Sequence, residues 1–132
     1  MMIVRNSVIP FSGTIAITLW PFILVRRNTW TQFTNNVLRH KRIHGRQQVE
    51  MLLVGAAVAA ILFVFGCKWW NLLALPLFFW LYGLEWMLGL FWFGNSKEAN
   101  LNISFEREAY DNEQDADYLK KRRPFASIRY LF

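Results

Sequence analysis

One feature constrains this chain more than any other: between Met51 and Phe93 only Lys68 and Glu85 carry charge, while both flanks are rich in ionisable residues. The order is polar, apolar, polar. Lipid is the natural solvent for such a run, and the expectation is a membrane α-helical protein. The 132 residues leave room for one domain spanning the whole chain, and seven Trp and twelve Phe lie far above ordinary soluble usage. The single cysteine, Cys67, excludes an internal disulfide and a Cys-based zinc cluster.

The net charge of +6 raises nucleic acid as a partner. The basic residues, however, cluster at Arg26, Arg27, Arg39, Lys41, Arg42 and Arg46 and again at 120–123, next to the apolar run. That placement fits the positive-inside bias and anionic lipid headgroups better than a phosphate-tracking groove, so membrane lipid is the expected partner and nucleic acid is not. Both termini are expected on the cytoplasmic side. The N-terminus lacks a sustained apolar core followed by a small-residue cleavage site, and does not read as a cleaved signal peptide.

Residues 1–28, rich in Val, Ile, Thr and Phe and broken by Pro10, Ser12-Gly13 and Pro21, predict two or three short strands in a small N-terminal hairpin or sheet. Thr29 with Gln32 resembles a capping box, and one long helix is expected over 29–66, entering the membrane at Met51. Lys68, Trp69 and Trp70 then mark the far interface. A second transmembrane helix over 69–93, kinked at Pro76, returns the chain to its starting side, and Gly55, Ala56, Ala59 and Ala60 allow the two helices to approach closely. The polar C-terminal segment, 104–132, is expected to be helical over Phe105 to Arg122, with Ser104 as N-cap and Pro124 as terminator. The architecture is thus a two-helix transmembrane hairpin with a cytoplasmic C-terminal helix.

The two histidines of the chain, His40 and His44, stand four apart, which puts both imidazoles on one helix face where they can chelate one ion. A zinc site needs a third protein ligand, commonly Glu, and keeps a fourth position open when it is catalytic. Glu106, in FEREAY, offers one.

On these residues the chain resembles the gluzincin metallopeptidases, whose His-Glu-x-x-His helix gives two ligands and whose later Glu-x-x-Ala pattern, matched here by Glu106 and Ala109, gives the third. The run HKRIHGRQQVEM, the apolar region and NISFEREAYDNE are similar to a group of small bacterial membrane proteins with a His-Glu-x-Ile-His motif and an Ile-Pro-Phe-x-Gly hairpin near the N-terminus. The resemblance implies zinc held by His40, His44 and Glu106, location in the bacterial inner membrane, and a strand edge along which an extended peptide or membrane-protein substrate adds. It also exposes a departure: Lys41 stands where that family has the general-base Glu. A protonated lysine cannot take a proton from metal-bound water, so a catalytically impaired homologue is expected. An alternative is a non-enzymatic scaffold docking a protein partner in a larger membrane complex, with Lys41 paired to Glu106 or Glu108.

Gln47, Gln48 and Glu50 read as interfacial polar residues, with Gln47 also a candidate to support the site. Glu85 reads as an ion-pair partner of Arg46 or Arg42. The acidic run 111–117 lacks the spacing of a calcium loop, and neither a Gly-rich phosphate loop nor a Cys/His pairing supports other chemistry.

Overall fold

The computed structural model describes residues 1–9, 14–66 and 68–131. Three short strands come first: β1 (Met2–Asn6), β2 (Ala16–Leu19) and β3 (Phe22–Arg26). They form one sheet in the order β1-β3-β2, with β2 and β3 antiparallel and β1 parallel to β3. β1 is therefore not the hairpin partner of β2. The expected turn at Pro10 and Ser12-Gly13, and the cysteine at 67, lie outside the described residues. Ala16, Ile23 and Val25 turn inward under the sheet against Trp30, Phe33 and Leu38, the alternation that a half-buried sheet requires.

The long helix α1 (Asn35–Val64) begins later than the capping-box pattern suggests. Thr29 uses its hydroxyl on the carbonyls of Ile15 and Arg26 and sits in a 3-10 turn, Arg27–Gln32. Thr34 is the N-cap, accepting from the Val37 amide, so a second threonine with a free N-terminal turn behind it displaced the first. α1 is long and apolar enough to cross a membrane.

The second apolar segment is not one helix. Trp69–Ala74 forms a 3-10 turn, and α2 (Leu77–Phe93) starts only beyond Pro76, because proline cannot continue a hydrogen-bonded helix through its own position. The 3-10 stretch runs beside α1. Asn71 donates to the Ala59 carbonyl at 3.3 Å, and a Cβ on Gly55 would stand 2.2 Å from the Ala74 carbonyl oxygen. The small residues of α1 thus admit the return stretch rather than a second helix.

The polar C-terminal region is also divided, into α3 (Ser96–Leu101), α4 (Ser104–Asn112), α5 (Tyr118–Lys121) and a 3-10 turn, Ala126–Tyr130. Helix α3 had no counterpart in the sequence reading, and the single helix expected over 105–122 breaks after Asn112. Ser104 is the first residue of α4 and not its cap. The free N-terminal turn of α4 is met instead by Glu85 of α2, which accepts from Ser104 N at 2.6 Å and Ser104 Oγ at 2.8 Å. Glu85 therefore acts as a helix cap supplied from another element, in place of the expected arginine partner. A second core of Met51, Phe78, Ile103 and Phe105 joins α1, α2 and α4, and the terminal 3-10 turn is tied to α4 by Arg107 and Asn112, which donate to the Tyr130 carbonyl and hydroxyl.

Candidate metal centre

Helix α1 presents His40 and His44 one turn apart, and α4 brings Glu106 across to meet them. All three are buried. His40 Nε2 lies 3.0 Å from His44 Nε2 and 3.1 Å from Glu106 Oε2, and His44 Nε2 lies 3.3 Å from Glu106 Oε1. Ligand atoms about 2.0–2.1 Å from a tetrahedral ion stand roughly 3.3 Å apart, so the cluster has the spacing of a coordination shell. The three residues could hold a metal ion.

The outer hydrogen bonds decide which nitrogens face inward. Gln47 spends its amide N–H groups on the Phe105 carbonyl and on Glu108 Oε2, both at 3.0 Å. Its Oε1 is thereby turned to His44 Nδ1, 2.8 Å away, which must carry the hydrogen. His40 Nδ1 likewise meets the Glu113 carboxylate at 2.9 Å. With both Nδ1 atoms donating, the rings in their neutral form turn unprotonated Nε2 lone pairs toward the Glu106 carboxylate. Three acceptors converge on one point. A shared proton relieves one of these contacts, whereas a divalent ion satisfies all of them.

Tyr82 of α2 bridges Asn100 and Glu106, its hydroxyl 2.8 Å from each. Tyr110 lays its ring edge-on to His40 at 4.6 Å between centroids. Around the cluster opens a cleft of about 690 Å³ whose walls come from β2, α1, α2 and α4.

Lys41 lines that cleft. Burial lowers its pKa, and the carboxylates of Glu106 and Glu113 pull it back up. Among the described residues no ion pair joins Lys41 to Glu106 or Glu108, which corrects the expected cross-helix bridge. Glu108 is taken by Arg122, whose guanidinium also binds Glu50. Tyr118 donates to Glu108 as well, at 3.0 Å. The chain Arg122–Glu108–Gln47–His44 thus runs from the C-terminal segment to the cluster. The sequence places Arg122 in a basic cluster and Glu113 in an acidic run but connects neither of them, nor Tyr82, to the site. Only Gln47, three residues after His44 on the same helix, gave a signal.

Gln47, Gln48 and Glu50 are buried, not interfacial. Gln48 accepts from the Trp20 amide and donates to the Thr18 carbonyl, both at 2.8 Å, imitating a strand residue at the free edge of β2. Thr18 Oγ1 in turn donates to the Lys41 carbonyl at 3.1 Å. Since Ile15 O is bonded inward to Arg26 N, the antiparallel alternation turns the amide and carbonyl of Ala16 outward, on the cleft side. Comparison with protein families, curated proteins and solved structures finds no match.

Proposed function

We propose that the chain is a membrane-inserted zinc protein built on a minimal gluzincin plan, with Lys41 in the general-base position and little or no peptidase activity as a consequence. The observation that supports it best is the convergence of two Nε2 lone pairs and one buried carboxylate, each held from behind by a hydrogen-bonding partner. Two imidazoles with one carboxylate suit zinc, and three protein ligands leave a fourth position for water or substrate.

The edge of β2 lies beside this position. An extended peptide adding to it would take the Ala16 amide and carbonyl and would end at Gln48, which already occupies Thr18 and Trp20. Its backbone would then pass the metal. In an active enzyme the residue at position 41 would accept a proton from the bound water. An ammonium there accepts none and opposes the ion electrostatically. The membrane reading places Met51 onward of α1, with the 3-10 return, in the bilayer of a bacterial inner membrane, both termini in the cytoplasm and the basic turns at the headgroups.

The test is elemental analysis of the full chain in mild detergent, with His44→Ala beside it. About one zinc per chain, lost in the variant, supports the site. No zinc in either, after zinc is supplied, refutes it and favours a scaffold role. Lys41→Glu is then assayed on an unfolded or membrane-protein substrate: chelator-sensitive cleavage by the variant alone supports the impaired-enzyme reading.

A further inference from the structure

Helix α2 is apolar by sequence except at Tyr82 and Glu85, and the structure gives it two faces. Phe78, Tyr82, Glu85 and Gly89 turn inward. Phe78 packs in the core with Met51, Tyr82 reaches Glu106, Glu85 caps α4, and a Cβ on Gly89 would stand 3.2 Å from that of Ala99. The opposite face, Trp80, Leu84, Met87, Leu88, Phe91 and Trp92, is exposed, from 49% at Leu84 to 89% at Phe91.

Two facts say what covers that face. First, the chain reverses at Gly94, and α3 runs back along α2, with Ala99 at Gly89 and Asn100 at Tyr82. Lys97 and Glu98 of α3 are exposed. If α2 crossed the bilayer, α3 would carry these charges into the acyl layer with it. Second, the wholly apolar part of α1 is short. From Met51 to Val64 it rises about 21 Å, against a hydrocarbon core of about 30 Å. Counting from His44 instead gives about 30 Å, and between His44 and Met51 every polar side chain except Arg46 is turned into the protein. His44 stands beside Phe78, at the first turn of α2, with ring centroids 6.4 Å apart.

We infer that α2 does not span the membrane but lies in its surface, with the face Trp80–Trp92 in the headgroup–acyl boundary, so that the bilayer reaches the level of the His40–His44–Glu106 cluster. The occupant is lipid: the face is continuous in composition with the exposed apolar side of α1 and is made of Trp, Leu, Met and Phe, as the apolar face of an interfacial helix is. Phe79, exposed and lining the cleft, then sets the cleft mouth at the lipid boundary, where it receives peptide from the membrane surface. The inference rests on the membrane part of the proposed function and is independent of the metal.

Depth measurement tests it. In full-length protein with Cys67→Ser, reconstituted in phosphatidylcholine–phosphatidylglycerol vesicles, single cysteines at Trp80→Cys, Leu84→Cys, Leu88→Cys and Phe91→Cys receive a small fluorophore, with Ile61→Cys and Lys97→Cys as references. Quenching by lipids carrying nitroxides at different depths is read at each. A surface helix gives all four α2 labels one shallow depth, within about 5–10 Å of the boundary, with Ile61 deeper and Lys97 unquenched. A spanning helix gives a gradient of about 16 Å from position 80 to 91, which overturns the inference while leaving the membrane reading intact. No quenching anywhere, Ile61 included, overturns both.

Discussion

Replacing Arg122 by methionine should expose how much of this fold hangs on a single guanidinium. Its side chain is 2% exposed and holds two carboxylates: Glu108, whose side chain is 0% exposed, and Glu50, at 11%. Nη2 lies 3.1 Å from Glu50 Oε2 and 3.2 Å from Glu108 Oε2. Methionine keeps most of the volume and removes the charge, leaving two buried carboxylates that repel each other. Breaking a buried pair in this way costs about 3–5 kcal/mol, or roughly 10–20 °C in melting temperature for a chain of this size. Thermal unfolding in detergent at pH 8, followed by circular dichroism, reads the loss. The triple variant Glu50→Gln, Glu108→Gln, Arg122→Met should recover most of the loss, because no charge is left uncompensated. A parent-like melt for Arg122→Met at pH 8, or a triple variant no more stable than Arg122→Met alone, would refute the argument.

Other consequences follow from single contacts. Gln47→Leu removes the acceptor that fixes the His44 tautomer, and zinc affinity measured by competition with a chromophoric chelator should fall about 10–100-fold; unchanged affinity would show that Gln47 does not orient the ligand. Gly55→Val drives side-chain carbons into the Ala74 carbonyl, where even a Cβ would be 2.2 Å away, and should destabilise the fold by about 1–3 kcal/mol in the same melts. A variant that melts with the parent would mean that the return stretch is not seated on α1.

Some of this protein was legible one residue at a time. The apolar run between two basic flanks, the i, i+4 histidines and a Glu-x-x-Ala glutamate depend only on local pattern, and they led to the residues that the fold gathers. The small residues at Gly55 and Ala59 correctly marked a close approach, although what approaches is a 3-10 stretch. Helix ends were legible only in kind: two threonines, Thr29 and Thr34, compete for one N-cap, and the choice depends on Thr29 finding the Ile15 and Arg26 carbonyls once the sheet has formed.

What only the tertiary structure decided is whatever links positions far apart in the chain. Nothing near Glu85 in sequence predicts that it caps Ser104, and nothing near Arg122 predicts Glu50, 72 residues away. Helix α2 shows the reason most plainly. Apart from Tyr82 and Glu85 its sequence is apolar around its circumference, so periodicity does not trace the border between a face that meets protein and one that meets lipid. Packing against α3 and α4 made that separation, because only contacts between elements create the burial difference that the residues of α2 themselves do not encode.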